Sequence, residues 1–136
     1  MYPEEMVKPM RAELSDAGFK DLYNASEVDA AIKQEGTTLV IVNSVCGCAA
    51  RNARPGAKMS LENAKKPDHL VTVFAGVDAD AVTAARGFMF PFPPSSPSIA
   101  LFKNGELVHM LERHHIEGRP AELIADNLKD AYAEFC

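Results

Sequence analysis

The apolar run Thr37-Thr-Leu-Val-Ile-Val42 is the feature that most constrains the fold of this chain. It is continuous rather than alternating and rich in β-branched residues, which predicts a central strand buried on both faces of a sheet. The chain passes from it directly into Asn43-Ser-Val-Cys-Gly-Cys-Ala-Ala50 and then into an alanine-rich stretch that ends near Ala64. Alanine favours helix, so we expect a helix here, bent or interrupted at Pro55-Gly56. The cysteine pair therefore lies at a strand-to-helix junction.

Short signals predict the other elements. Residues 3–17 have apolar residues at helical spacing, and Ser26 is a candidate N-cap of a second helix that stops at Gly36. After the central strand we expect a second buried strand, a helix capped by an aspartate, a hairpin with an Asn-Gly turn and a final helix with proline in its first turn. In chain order these are Leu70–Ala75, the segment after Asp78, Ile99–Lys103 with Glu106–Leu111 around Asn104-Gly105, and the segment from Pro120.

The order of these elements predicts the architecture. A right-handed crossover makes the first two strands parallel neighbours, and the hairpin adds an antiparallel pair. We therefore predict an α/β fold, with a four-stranded mixed sheet flanked by helices, an N-terminal helical extension and a single domain over residues 1–136. Chemistry in such sheets lies at the carboxyl ends of strands, where loops meet helix amino termini. Cys46 lies at such a place.

Charge and cysteine count limit the classes of function. The chain has 14 Lys and Arg against 19 Asp and Glu, a net charge of −5, and its basic residues are scattered, which disfavours nucleic acid and anionic lipid as partners. Its longest aliphatic run, Leu39 to Val42, is far shorter than the ~20 residues of a membrane span. The count of 3 cysteines is odd, and no basic and apolar leader is visible. We expect a cytoplasmic protein with reactive thiols and no membrane or nucleic-acid partner; the oligomeric state stays open.

Cys46 is the candidate nucleophile. Thiolate rather than thiol attacks, and a cysteine at a helix amino terminus commonly has its pKa lowered from ~8.5 to ~3.5–7.5. Cys48 is the candidate second thiol. Residues i and i+2 of an α-helix point to nearly opposite sides, so a Cys46–Cys48 disulfide is expected to be strained unless Gly47 lets the first turn distort. A strained disulfide is easily reduced, which suits exchange, isomerisation or resolution of a mixed disulfide.

Two other interpretations of the cysteine pair stay open. The cysteines can be small buried residues of an alanine-rich helix. They can also hold a soft metal ion together with His114 and His115, although no second cysteine pair appears at zinc-like spacing.

Further candidates lie in loops and at the end of the chain. The proline-rich segment Phe90–Ser98 must be a loop, and its Ser96-Pro97 bond can be cis or trans; a cis bond would keep Ser96 extended, with its backbone offered to a bound peptide or thiol. A basic cluster before the last helix can stabilise a thiolate or bind carboxylates of a small thiol, or it can be a solvated connection. Its members are Arg113, His114, His115 and Arg119. The terminal Cys136 can resolve a mixed disulfide, pair with another chain or have no role.

Several segments together resemble the bacilliredoxin family, whose members carry a CGC motif. The similarity runs nearly from end to end, and the CGC segment combined with the PPSSPS segment is far more specific than a lone CxC. At His115 the chain departs from the family pattern, which has an acidic residue there. The matching segments are Val7–Arg11, Asn43–Ala50, Ala53–Pro55, Thr72–Gly76, Pro93–Ser98, Arg113-His114, Ile116–Gly118 and the terminal Cys136.

The resemblance implies a thioredoxin fold and the removal of bacillithiol from mixed disulfides on client proteins. Cys46 would attack and take up the small thiol, and Cys48 would resolve it; disulfide isomerase activity through the same pair is also implied. Ser96 and Pro97 would form the cis-proline loop, and Arg113 and His114 would contact substrate. No bound cofactor is implied, since bacillithiol acts as co-substrate and a separate disulfide reductase recycles the protein.

Overall fold

A five-stranded mixed sheet lies at the centre of the computed structural model, which describes residues 1–136. Its strands are β1 (Lys20–Asp21), β2 (Thr37–Asn43), β3 (His69–Phe74), β4 (Ser98–Lys103) and β5 (Glu106–Leu111). Their order in the sheet is β1-β3-β2-β4-β5. β1 and β2 run parallel to β3, whereas β4 runs antiparallel to both β2 and β5. The predicted mixed sheet is confirmed.

Helices cover both faces of the sheet. They are α1 (Glu4–Ser15), α2 (Ala25–Lys33), α3 (Arg54–Ser60), α4 (Ala79–Phe88), α5 (Arg113–Ile116) and α6 (Ala121–Phe135), and a π-helical turn over Ala49–Ala53 leads into α3. None of these helices has both the length and the apolar character that a membrane crossing requires. The N-terminal helical extension is confirmed as α1.

β2 is buried on both faces, as its sequence predicts. Leu39 and Ile41 pack with α1, α3 and α6, while Val40 and Val42 pack with α2 and α4 on the opposite face. Successive side chains of a strand point to opposite faces, so a continuous apolar run supplies both hydrophobic cores. The strand therefore holds its carboxyl end in place from both faces.

The number of strands is one more than predicted. β1 contains only two residues, and Lys20 and Asp21 pair in parallel with Val71 and Thr72 of β3. A two-residue strand is too short to show any period in the sequence. Its pairing depends on the neighbouring edge of β3.

Two predicted caps are wrong in detail. The N-cap of α2 is Asn24 rather than Ser26, since the Asn24 side chain accepts a hydrogen bond from the backbone N–H of Glu27. Asp78 does occupy the N-cap position of α4 but makes no capping hydrogen bond. Its carboxylate instead lies 2.8 Å from Nη2 of Arg11, a buried residue of α1. The ion pair fastens α1 to the start of α4.

The Asn-Gly hairpin is confirmed. Asn104 has a φ of 51° and Gly105 a φ of 84°, which are the positive values that a tight two-residue hairpin turn needs. The strands pair from Lys103 with Glu106 back to Ile99 with Leu111, with one register shift on the way.

The helix after the cysteines is not interrupted at Pro55-Gly56: the π-helical turn runs directly into α3, which contains both residues. Pro55 lies in the first turn of α3, directly after the π-helical turn; in this way the change of helical period accommodates a residue that cannot donate a backbone hydrogen bond. Gly56 is buried where α3 meets α6. A Cβ atom on Gly56 would come within 2.7 Å of Cγ2 of Ile124 and 3.1 Å of the backbone oxygen of Ala121. The missing side chain allows α6 to approach the cysteine-bearing helix.

We expect Gly56→Ala to lower the free energy of unfolding by about 1–3 kcal/mol because the added methyl group overpacks this contact. Urea unfolding followed by circular dichroism measures the change. Gly87→Ala is the matched control, since a Cβ atom on Gly87 of α4 would have nothing within 4 Å, and we expect it to gain up to about 1 kcal/mol from helix propensity. Equal effects of the two substitutions would contradict the close-approach role of Gly56.

Candidate active site

Cys46 occupies the residue before the helix that follows β2. The strand ends at Asn43, Ser44 and two further residues form a turn, and the helical conformation begins at Gly47. The backbone N–H groups of Ala49 and Ala50 donate to the carbonyl of Cys46. Cys46 is half-buried and Cys48 is buried. The expected position of a reactive thiol at a strand end and a helix start is present.

The two sulfur atoms lie side by side. Sγ of Cys46 is 2.9 Å from Sγ of Cys48, and both cysteines are free thiols. The divergence of residues i and i+2 holds only inside a regular α-helix, and it does not apply here because Cys46 precedes the helix, which begins at Gly47. The predicted alternative, in which the pair can approach because the start of the helix is not regular, agrees with this geometry. Formation of a disulfide, with its S–S bond of about 2.05 Å, requires the sulfurs to approach by only roughly 0.9 Å.

The surroundings shift the pKa values of the two thiols in opposite directions. Burial raises the pKa of Cys46, but hydrogen bonds from the Cys48 thiol, the Ser44 hydroxyl and the backbone N–H groups of Ala49 and Cys48 outweigh it, so the pKa of Cys46 is lowered overall. Burial raises the pKa of Cys48, and the hydrogen bond to Cys46 and the charge of Cys46 raise it further, against a smaller opposing effect of Arg113. Cys46 is thus the thiol that ionises more readily, and Cys48 is placed to donate a hydrogen bond to its thiolate form.

A buried arginine supports the turn that carries Cys46. Nη1 of Arg54 donates to the side-chain oxygen of Asn43 at 2.9 Å and to the backbone oxygen of Ser44 at 2.8 Å. Its Nε atom lies 3.1 Å from a carboxylate oxygen of Glu13 in α1. The backbone N–H of Ser44 donates to the same Asn43 oxygen, and the Ser44 hydroxyl accepts from the backbone N–H of Cys46. The chain of hydrogen bonds therefore runs from Arg54 to the nucleophile.

Sequence reasoning missed this network. Asn43 and Ser44 appeared only as neighbours of the cysteines, and Arg54 appeared only as part of a family segment. No sequence signal separated Arg54 from its polar neighbours Arg51, Asn52 and Lys58. Only the structure shows that 2% of its surface is exposed and that its guanidinium group therefore needs acceptors.

Ser96, Pro97 and Arg113 come to the same edge of the sheet as the cysteines. Ser98 pairs with Val42 at the carboxyl end of β2, which places Pro97 next to the turn after that strand. The Ser96-Pro97 bond is cis. Nη1 of Arg113 donates to the backbone oxygen of Ser96 at 3.2 Å, and the charge of Arg113 favours the thiolate form of Cys48. Arg113 uses one acceptor position of the Ser96 carbonyl, so the second lone pair of that oxygen and the Ser96 N–H are the backbone groups that it can offer to a ligand.

The two histidines lie beside this edge without contacting the sulfurs. The rings of His114 and His115 lie with their centroids 4.0 Å apart and their planes inclined by 45°. Nδ1 of His115 accepts from the backbone N–H of Glu112 in a capping box of α5. Burial and the charge of His114 lower the pKa of His115, which favours the neutral ring. His115 thus accepts a hydrogen bond as a carboxylate would.

The structure does not gather the cysteines and histidines into a common metal-ligand set. The one group of ligand atoms that lie within 4.8 Å of one another comes from Glu112, His114 and His115. The sulfurs of Cys46 and Cys48 are outside it. The soft-metal interpretation therefore has no joint site in this geometry.

Cys136 lies at the other end of the molecule. Hydrogen bonding to Thr37, at the start of β2, partly offsets the effect of burial, which raises the pKa of Cys136. A seven-residue strand spans roughly 20 Å, so the length of β2 separates Cys136 from Cys46. Direct resolution of a Cys46 mixed disulfide by Cys136 of the same chain is excluded in this conformation.

We expect Ser44→Ala to raise the pKa of Cys46 because it removes a hydrogen bond to the thiolate. Thiolate reactivity is present above the thiol pKa, so the midpoint of the rate profile moves to higher pH, and a pKa higher by one slows alkylation about tenfold at pH values below the midpoint. Iodoacetamide labelling over a pH series, with peptide mass mapping, reports Cys46 separately from Cys48.

Ser60→Ala is the control for this measurement. The Ser60 hydroxyl bonds only to Ala57 and Tyr132, so its removal leaves the Cys46 profile in place. A profile of Cys46 that is the same in Ser44→Ala as in the unsubstituted protein would refute the role of Ser44.

Comparison with known proteins agrees with this geometry. The sequence model of the family described as disulphide isomerase matches residues 2–136. A bacilliredoxin from Cytophaga hutchinsonii is 58% identical over 98% of this chain and 99% of its own length. A bacilliredoxin from Halalkalibacterium halodurans is 52% identical over 99% of this chain and 94% of its own.

Solved structures show the fold. A thioredoxin variant from Halobacterium salinarum superposes with a TM-score of 0.60 at 17% identity, covering 88% of this chain and 91% of that one. A thioredoxin from Trypanosoma brucei brucei gives 0.60 at 16% identity, with 86% and 93% covered. The near full-length identity to bacilliredoxins and the thioredoxin fold, with its paired thiols at the end of β2, place this chain in the bacilliredoxin family of thiol-disulfide oxidoreductases.

Proposed function

We propose that the protein removes a low-molecular-weight thiol, bacillithiol, from mixed disulfides on client proteins. The observation that carries the proposal is the asymmetric thiol pair: Cys46 has a lowered pKa, Cys48 has a raised one, and their sulfurs are 2.9 Å apart. One cysteine is prepared to attack, and the other is held within reach to resolve.

The first step is a thiol-disulfide exchange at Cys46. Its thiolate attacks the sulfur of the small thiol, a bond forms between the two sulfurs, and the client–thiol disulfide breaks. The client cysteine leaves as a thiolate and takes a proton from solvent. The client is reduced, and Cys46 now carries the small thiol in a mixed disulfide.

The second step uses a change in the acidity of Cys48. Burial raises the pKa of Cys48, the hydrogen bond to Cys46 and the charge of Cys46 raise it further in the reduced protein, and Arg113 lowers it. The two effects of Cys46 end when its sulfur enters the mixed disulfide, while burial and Arg113 remain. Cys48 therefore ionises more easily when it has to attack Cys46 and release the small thiol. The product is a Cys46–Cys48 disulfide.

Turnover requires partners. The Cys46–Cys48 disulfide has to be reduced by a separate disulfide reductase, or a second molecule of the small thiol can discharge Cys46 before Cys48 attacks. We propose a cytoplasmic location, since a reducing compartment keeps both cysteines as thiols. No bound cofactor enters either step, because the electrons come from the thiols themselves.

Intact mass spectrometry with a bacillithiolated client protein tests the order of events. We expect Cys46→Ala to lose transfer of the thiol. Cys48→Ala should still strip the client and accumulate one bacillithiol adduct on Cys46, because resolution is blocked. The unsubstituted protein should end as the internal disulfide.

Cys136→Ser is the matched control, since Cys136 lies at the opposite end of β2, and we expect it to transfer the thiol at an unchanged rate. Full activity of Cys46→Ala together with loss in Cys48→Ala would reverse the assignment of roles. A lack of adduct on all variants would refute the proposed substrate.

Disulfide isomerisation is a second candidate function, favoured by the description of the matching family as disulphide isomerase. Cys46 would attack a non-native disulfide of the client protein, and another cysteine of the client would then displace Cys46. Refolding of a scrambled disulfide protein measures it. We expect Cys48→Ala to keep isomerase activity, because isomerisation needs only the attacking thiol. The same variant should no longer resolve the mixed disulfide on Cys46 into the internal Cys46–Cys48 disulfide.

A further inference from the structure

We propose that the groove beside Cys48 is a binding site for the carboxylates of the small thiol, held by Arg51 and Arg119, so that the protein selects anionic over neutral low-molecular-weight thiols. The inference rests on the proposed function in one respect: Cys46 takes up a small thiol. It adds the residues of this chain that recognise that thiol and determine its specificity.

The groove lies between the CGC turn and the start of α6 and has a volume of about 590 Å³. Gly47 and Cys48 line one side, and the opposite side comes from the segment 117–120, between α5 and α6. Because the two sulfurs are 2.9 Å apart, a small thiol joined to Cys46 starts at the mouth of this groove. The space is large enough for a small thiol with several polar substituents.

The charge of the groove opposes that of the molecule. Three arginines line it, Arg51, Arg113 and Arg119, against one acid, Glu117, whereas the whole chain has a net charge of −5. Arg113 is already engaged: its Nε atom lies 3.2 Å from Glu117 and its Nη1 donates to Ser96.

Arg51 and Arg119 have no such partners. The ion pairs of the structure include neither side chain, and both residues are exposed. Two guanidinium groups with free donors thus face one groove beside a reactive sulfur. Guanidinium binds carboxylates through paired, charge-assisted hydrogen bonds, which defines the class of ligand.

Gly47 brings Arg51 close to the cysteines. A Cβ atom at position 47 would come within 2.6 Å of Nη2 of Arg51. The guanidinium group therefore lies against the backbone between Cys46 and Cys48, in space that any side chain at position 47 would take. The middle residue of the CGC motif is the one that allows this approach.

A hydrogen bond joins the two sides of the groove. The side-chain amide of Asn52 donates to the backbone oxygen of Arg119. Asn52 follows Arg51 directly in the chain, so this contact keeps the two arginine-bearing segments next to each other. The distance between the segments that carry Arg51 and Arg119 is therefore set by the fold.

The site would also decide which sulfur of a mixed disulfide is attacked. With the carboxylates of the small thiol held in the groove, its sulfur lies next to Cys46 and the client cysteine lies outside. The thiolate of Cys46 then bonds to the small thiol, and the client leaves as thiolate. The opposite outcome, with the client joined to Cys46, would leave the arginines without a ligand.

Adduct formation on Cys46 in the Cys48→Ala protein tests the inference without a client. The probes are the symmetrical disulfides of mercaptosuccinate, which bears two carboxylates per thiol, and of 2-mercaptoethanol, which bears none. In each reaction the Cys46 thiolate takes one thiol and releases the other as thiolate. When Arg51→Gln and Arg119→Gln are both added to the Cys48→Ala protein, we expect the rate with the mercaptosuccinate disulfide to fall about tenfold at low salt. The rate with the mercaptoethanol disulfide should stay within about twofold of that of the Cys48→Ala protein.

Lys33→Gln with Lys103→Gln is the matched control. It removes the same charge from exposed positions at the other end of the sheet, and we expect both rates to change less than twofold. Equal slowing of both probes by the arginine substitutions would mean a general effect on Cys46, and no slowing of either would mean no site; each result overturns the proposal. Failure of client transfer with intact probe selectivity would refute the proposed function alone.

Discussion

The buried guanidinium of Arg54 is the interaction on which the reactive site depends. It donates hydrogen bonds to the side-chain oxygen of Asn43 and to the backbone oxygen of Ser44. These two residues end β2 and begin the turn that leads to Cys46. A buried carbonyl without a donor costs about 1–3 kcal/mol, so this turn could not keep its shape in an apolar interior without such a donor. Because Glu13 of α1 balances the charge, the N-terminal helix is part of the support of the nucleophile.

The thiol pair works by hydrogen bonding more than by the helix dipole. A helix amino terminus alone contributes about 0.3–1 kcal/mol to a nearby charge at an exposed position, whereas a hydrogen bond to a charged group contributes about 1.5–3 kcal/mol. Cys46 receives several such bonds, one of them from Cys48. The same bond adds to burial in raising the pKa of Cys48 and is lost once Cys46 has reacted, which favours attack by Cys46 before attack by Cys48 in the proposed reaction.

Close packing of α3 against α6 connects the fold to the chemistry. At Gly56 the two helices meet without an intervening side chain, and the start of α6 therefore lies beside the CGC turn. The segment that leads into α6 carries Arg119, and the π-helical turn carries Arg51. A chain that is acidic as a whole thus presents basic residues in the groove that borders Cys48, which is the charge pattern expected for an anionic thiol.

Sequence by itself determined the order of the elements, the central position of β2, the Asn-Gly hairpin and the location of Cys46 at a strand end, because each follows from local periodicity or turn chemistry. Only the tertiary structure decided what depends on long-range contacts: the two-residue strand β1, which needs the edge of β3; the use of Asp78 by Arg11; the position of Cys136 far from Cys46; and the direction in which Cys46 points. The chain shows that two cysteines are near each other in sequence. Whether their sulfurs meet depends on the shape of the turn that Asn43, Ser44 and Arg54 hold by hydrogen bonds. Which of the two ionises more readily depends on the hydrogen bonds that Cys46 receives from Ser44, Cys48 and the start of the helix, and these partners come together only when strand and helix pack.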